Sequence, residues 1–211
     1  MSVFWPPKLW GSGETFIVID GIDASGKTTQ TKLLVKCLEK GGFKVFYRIH
    51  PSTDNFFGLK TRYYLQKGGR AAHLGAALYY MLDVLRSTLM YSWRRGAIKI
   101  FTRYLMGTAY LPKPVYETAY LFFAYTLPTS NLMFILDVTP EEARRRLKNR
   151  GGKPEMFESL EELGEMRARI VGLARKYGWT IIAADKPVFE IHEEIKGFLT
   201  NRQGLNLYTV K

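Results

Sequence analysis

The chain is poor in the residues that staple a fold or anchor it in a bilayer. A single cysteine, Cys37, stands in 211 residues, so no intrachain disulfide can form and a reducing compartment, the cytoplasm, is expected. Its neighbours Leu33, Leu34, Val35 and Leu38 mark it as a packing residue. The longest apolar run, residues 119–125, falls far short of the roughly 20 residues that span a bilayer. Residues 1–13 lack a basic start followed by an apolar stretch, so no secretory signal is expected. The three histidines, His50, His73 and His192, sit on distant segments without ligand spacing, which argues against a metal site built on them. Three glutamines and five asparagines make the thermolabile amides scarce, a weak sign of a heat-adapted source. Acidic residues are also few, 19 against 31 lysines and arginines, and the net charge is +12.

A basic chain attracts anions. Here the charge is scattered rather than blocked, and its densest cluster, residues 144–150, reads as the end of a helix. That pattern suits a small-molecule phosphate site better than a nucleic-acid stripe. Apolar residues at 46% and charged residues at 24% are ordinary for a soluble globular chain. The length suits one α/β domain. Five short apolar runs read as strands, at 15–20, 44–48, 97–103, 132–138 and 180–184. Helical segments are expected at 29–40, 58–66, 71–95, 114–126, from 139 onward, 160–177 and 188–199. Thr139, Pro140 and Glu142 predict a capping box on the helix that follows the fourth strand. Strands alternating with helices predict a five-stranded parallel sheet covered on both faces, a three-layer sandwich. Residues 1–13 form an N-terminal extension whose Phe4, Trp5 and Trp10 are expected to pack on the body or a partner. Residues 201–211 form a tail with no placement.

Residues 21–28, Gly21-Ile22-Asp23-Ala24-Ser25-Gly26-Lys27-Thr28, fit the phosphate-loop pattern G-x-x-x-x-G-K-[ST] between a strand and a helix. The glycines let successive backbone N–H groups turn inward around a phosphate, and the helix N-terminus adds partial positive charge. Lys27 supplies a point charge for the β- and γ-phosphates of ATP, and the Thr28 hydroxyl is placed to ligate Mg²⁺. The signal defines a P-loop phosphotransferase and leaves the acceptor open.

Residues 16–30 (FIVIDGIDASGKTTQ) resemble the opening of the thymidylate kinase family. Residues 134–147 (FILDVTPEEARRRL) with Phe157-Glu158, and residues 181–195 (IIAADKPVFEIHEEI), resemble its later segments. The resemblance runs from Thr15 to Leu199 and is strongest at the two ends. It implies a P-loop nucleoside monophosphate kinase that phosphorylates dTMP to dTDP with ATP and Mg²⁺, as a cytoplasmic homodimer. It implies donor contacts from Gly21, Asp23, Ala24, Ser25, Gly26, Lys27, Thr28 and Thr29, with Asp185 and Lys186 beside the adenine. Asp23 would reach the nucleotide sugar and the magnesium shell. Arg48 and Arg103 would hold the acceptor phosphate, Glu158 would lie beside a lid at about 146–158, and Arg86 and Tyr110 would meet the base. Some members place a catalytic arginine in the P-loop; Ala24 and Ser25 leave none here. Arg146 and Arg150 are then expected to stabilise the transferring phosphoryl group.

Position 102 departs from the family, which carries aspartate there; this chain reads Thr102-Arg103-Tyr104. Magnesium should then lean on Thr28 and Asp23, with Asp20 in reserve. The run after the strand reads Ala109-Tyr110-Leu111 where the family shows glutamine after the tyrosine. Two other readings stay open at this point. One is a P-loop kinase of a hydroxyl acceptor, which would need a carboxylate base. The other is a low-turnover nucleotide-binding regulator that touches nucleic acid through its basic surface.

Overall fold

A computed structural model describes residues 15–67, 69–91, 93–151 and 159–205. Its elements are β1 (Phe16–Asp20), α1 (Lys27–Lys40), β2 (Val45–Ile49), α2 (Phe56–Leu65), α3 (Arg70–Tyr91), β3 (Ile98–Thr102), a 3-10 turn (Leu105–Tyr110), α4 (Val115–Thr126), β4 (Met133–Asp137), α5 (Pro140–Arg150), α6 (Leu160–Lys176), β5 (Thr180–Ala183) and α7 (Val188–Gln203). The five strands form one parallel sheet in the order β2-β3-β1-β4-β5. The expected sandwich is therefore present.

The β-branched and aromatic residues of β1, β3 and β4 have no wet face. Every residue of β1 and β3 is buried, including the polar ends Asp20 and Thr102. This is why they read as unbroken apolar runs rather than alternating ones. In this order β1 lies between β3 and β4, and Ile19 is level with Thr102. The carboxyl ends of β1 and β3 thus open side by side, where ligands bind in open α/β sheets.

Local chemistry differs from expectation at the cap of α5. Thr139 precedes α5 without capping it: its hydroxyl lies 2.9 Å from Asp185 Oδ1, and Glu142 is taken by Arg145 and Arg146. A complete capping box stands instead on α6, where Ser159 and Glu162 bond reciprocally. The leucines that give α3 its helical period face outward: Leu74, Leu78 and Leu89 are each 60% exposed, and Ala72, Ala76, Tyr80 and Val84 face the core. Cys37 is half-buried rather than interior, packed against the edge of the core. The extension with Phe4, Trp5 and Trp10, Glu158 and most of the expected lid lie outside the described residues, and α7 absorbs the start of the tail.

Candidate active site

Between β1 and α1 the chain makes a turn that only this composition tolerates. Gly21 has φ +144, and a Cβ there would fall 2.5 Å from the Leu136 carbonyl oxygen. Gly26, at φ +95, delivers the chain into α1. Ala24 sits at φ +57, an uncommon left-handed alanine inside the loop. Left-handed residues interleaved in a turn are the backbone form that builds an anion-binding nest. Lys27 crosses it: Nζ donates to Gly21 O at 2.9 Å and to Ile22 O. Burial pushes the Lys27 ammonium down to about 7, and Arg103 adds repulsion that Asp23 and Asp20 offset in part. A polyphosphate in the loop would reverse that shift.

Two carboxylates flank the loop. Asp20 ends β1 and is buried; its Oδ1 accepts from Gly21 N at 2.9 Å and its Oδ2 from Tyr104 N at 2.8 Å. It therefore ties the end of β1 to the segment after β3. Burial raises its pKa, against the pull of Lys27 and the two backbone donors. Asp23 receives Arg103 Nη2 at 2.6 Å. Burial opposes its charge, but Arg103 and Lys27 outweigh burial and hold Asp23 below the usual carboxylate range. Arg103 itself is at φ +56, strained for an arginine. The surroundings fix it: Nη1 donates to His50 O at 3.4 Å, and His50 Nδ1 lies 3.1 Å from Arg103 O.

These groups open into a cavity of about 540 Å³ lined by Asp20, Asp23, Thr28, Arg103, Tyr110 and Arg150, among others. That size suits a nucleotide-scale ligand, given the roughly 300–1,000 Å³ of typical ligand pockets. Its far wall comes from α2 and α3: Thr61, Arg62 and Leu65 from the first, His73, Ala76, Ala77 and Tyr80 from the second. The α3 residues follow i, i+3, i+4, i+7 spacing, the helix's inward face. Sequence reasoning passed over Arg62 and His73. The sign that could have found them is the small pair Ala76-Ala77 one turn beyond His73, which leaves room beside that helix face.

Other expected site residues stand elsewhere. Arg48 chelates Asp54, with one contact at 2.7 Å, and its guanidinium lies 5.8 Å from the Tyr91 ring centre; it is not among the cavity's lining residues. Arg86 is also off the cavity, half-buried on α3 with Nη1 lacking a hydrogen-bond partner. Arg150 reaches the cavity, whereas Arg146 bridges the rim of the P-loop and the end of β5, donating to Ala24 O at 3.4 Å and Ala184 O at 2.8 Å. Asp185 accepts from the Thr139 backbone N–H at 3.1 Å, and Lys186 pairs with Glu194. Thr102 is buried at 2.6 Å from the Thr31 hydroxyl of α1, turned to the helix rather than the cavity.

A phosphate loop at the end of β1, with an arginine just after β3 and a nucleotide-sized cavity beyond, is the plan of a P-loop kinase. Comparison with known proteins narrows the class. A family model for thymidylate kinase matches residues 19–195. Curated relatives include a probable thymidylate kinase of Pyrococcus abyssi, 31% identical over 85% of this chain and 93% of its own length. Another, from Pyrobaculum calidifontis, is 30% identical over 85% of this chain and 93% of its own. The solved thymidylate kinase of Candida albicans shares the fold with a TM-score of 0.74 at 18% identity, covering 89% of this chain and 92% of that one. The chain belongs to the thymidylate kinase family.

Proposed function

We propose that the protein transfers the γ-phosphoryl group of ATP to a deoxynucleoside monophosphate, dTMP above others, giving ADP and the diphosphate. The observation that carries this is the Lys27–Asp23–Arg103 cluster at the mouth of a cavity large enough for a nucleotide. The acceptor's phosphate oxygen is already anionic near neutral pH, so transfer needs no general base. The loop amides and Lys27 hold the donor's phosphates. Arg103, strained and clamped, holds the acceptor's phosphate in line. Arg150 adds charge from the end of α5.

The oxygen donors at the loop suit Mg²⁺, a hard cation: the Thr28 hydroxyl and the Asp20 and Asp23 carboxylates border one cavity. Bound there, the ion would neutralise developing charge on the phosphates. A hydroxyl acceptor would need a carboxylate base, and Asp23, held below the usual carboxylate range by Arg103 and Lys27, is a weak one.

We also propose a homodimer through α3. Its outward Leu74, Leu78 and Leu89 are exposed, as are Phe56, Leu59 and Tyr63 of α2, apolar side chains that a second copy would cover. No described helix is long and apolar enough to cross a membrane. The lone Cys37 supports a cytoplasmic setting. The test of function is an acceptor screen read by ADP release, with Lys27→Ala as control. Turnover is expected with dTMP and lost in the variant. ATP binding without turnover of any nucleoside monophosphate would remove the proposal.

A further inference from the structure

The acceptor end of the cavity carries a second cation beside Arg103. Arg103 Nη1 donates to the His50 carbonyl at 3.4 Å, and Arg62 Nη2 donates to the next carbonyl in the chain, Pro51 O, also at 3.4 Å. The two guanidinium groups are therefore anchored one residue apart on the same segment, and both border the cavity. Arg103 has Asp23 as counter-ion; Arg62 makes no ion pair among the described residues. Two like charges lining one cavity repel, and an anion between them relieves that repulsion. A phosphate does so with the geometry arginine favours, parallel N–H···O bonds. Arg48 cannot share this role as placed, because Asp54 occupies its fork outside the cavity.

A buried residue explains why Arg62 stands there. Asp83 of α3 is fully buried and does not line the cavity. Its carboxylate accepts from Ser52 N at 2.7 Å, Ser52 Oγ at 2.8 Å and Asn55 Nδ2 at 2.8 Å. Asn55 in turn caps α2, its Oδ1 accepting from Gly58 N at 3.1 Å. Gly58 lies so close to the loop that a Cβ would fall 2.1 Å from Ser52 O. Arg62 follows Gly58 by one helical turn. A buried carboxylate supported by several donors costs too much to be a passive filler, since every partner lost leaves charge uncompensated. The linkage runs from Asp83 through Ser52 and Asn55 to the start of α2, and from there to Arg62.

We propose that Arg62 grips the acceptor's phosphate alongside Arg103, and that Asp83 is the positioning residue that holds Arg62 in place. This rests on the reading of the cavity as the site of a nucleoside monophosphate. The test measures dTMP affinity by calorimetry and the KM for dTMP and ATP separately, in the wild type, Arg62→Met, Arg48→Met, Asp83→Asn and the double variant Arg62→Met/Asp83→Asn. Losing a charge-assisted hydrogen bond should weaken dTMP about 10- to 100-fold in Arg62→Met, with ATP affinity retained and Arg48→Met close to wild type. Asp83→Asn should raise the dTMP KM in the same direction and add little in the Arg62→Met background, which a general loss of stability would not reproduce. Should Asp83→Asn not fold, Ser52→Ala removes part of the same linkage and gives the same comparison. Wild-type turnover of dTMP with unweakened binding in Arg62→Met overturns the inference and leaves the kinase reading standing. A wild type that binds ATP but neither binds nor phosphorylates any nucleoside monophosphate overturns both. Equal losses from Asp83→Asn in both backgrounds overturn the positioning role.

Discussion

Thr102→Asp tests whether the residue at the end of β3 is a missing catalytic acid or a structural one. The family pattern alone suggests that restoring aspartate improves magnesium handling and turnover. The structure points the other way. Thr102 is fully buried, its hydroxyl 2.6 Å from Thr31 on α1, and Ile19, next to the buried Asp20, is its register partner on β1. A carboxylate introduced there meets one hydroxyl donor and a second carboxylate close by. An uncompensated buried charge costs about 3–5 kcal/mol. A hydrogen bond from Thr31 to that charge returns about 1.5–3 kcal/mol. The net is a destabilisation of about 2 kcal/mol, or about 4–8 °C in Tm for a domain of this size.

The pH dependence has a definite sign. Burial raises the folded-state pKa of the new carboxyl above its unfolded value, as it does for Asp20. A group raised on folding contributes stability below its unfolded pKa and loses it as pH rises through the folded value. The Tm deficit of Thr102→Asp should therefore be small in acid and grow toward neutral pH. Scanning calorimetry across that range, with steady-state turnover at neutral pH, makes the test. Thr102→Val, which only strands the Thr31 hydroxyl, should cost about 1–2 kcal/mol with little pH dependence. An unchanged Tm with increased kcat in Thr102→Asp would refute the argument and return position 102 to catalysis.

Lys27, pushed down to about 7 by burial, should take up a proton when ATP binds above that pH. Calorimetry at pH about 8 in buffers of different ionisation enthalpy should show uptake that disappears in Lys27→Met. Gly107→Ala places a methyl group 2.1 Å from the Tyr80 ring, so Tyr80 must move into the cavity it lines; a loss of about 1–3 kcal/mol and weaker acceptor binding are expected, both partly restored by adding Tyr80→Leu. Leu78→Glu puts a charge in the middle of the α3 leucine face and should yield a monomer by light scattering without lowering nucleotide-binding capacity.

The fold was legible because its signals are local. Buried parallel strands announce themselves as apolar runs such as residues 16–20 and 133–137, and the loop between them and a helix as a fixed glycine spacing. The P-loop itself is legible for the same reason: Gly21, Lys27 and Thr28 lie on one short stretch of chain from the end of β1 into α1. The acceptor half is not. Arg48 and Arg86 have the charge expected of them, but neither lines the cavity, and Arg48 is paired with Asp54. Arg62 and His73 reach it on α2 and α3, and Asp83 of α3 bonds the segment that starts α2, a contact spanning 28–31 residues of sequence that no periodicity encodes. The capping box shows the same limit. Thr139 and Glu142 have the right spacing, but Asp185 and two arginines compete for them and win.

The charge distribution around the cavity connects these observations. Lys32, Arg62, Arg103 and Arg150 line it and Lys27 crosses the adjoining loop, against two lining carboxylates, Asp20 and Asp23. Each carboxylate is committed: Asp23 to Arg103, and Asp20 to two backbone N–H groups that join β1 to the segment after β3. Cations held close together in a partly buried space raise one another's cost, which is why Arg103 adds to the burial that pushes Lys27 down. Phosphates entering from both ends remove that cost, and the gain is greatest when donor and acceptor are present together. Binding of one nucleotide should therefore not be weakened by the other despite their like charge, provided the cation that neutralises the donor is present. Loss of a cavity-facing guanidinium should bring the repulsion back. The coupling between ATP and dTMP binding, measured with and without Arg62→Met, reads this balance directly; stronger mutual exclusion in the variant is the expected sign.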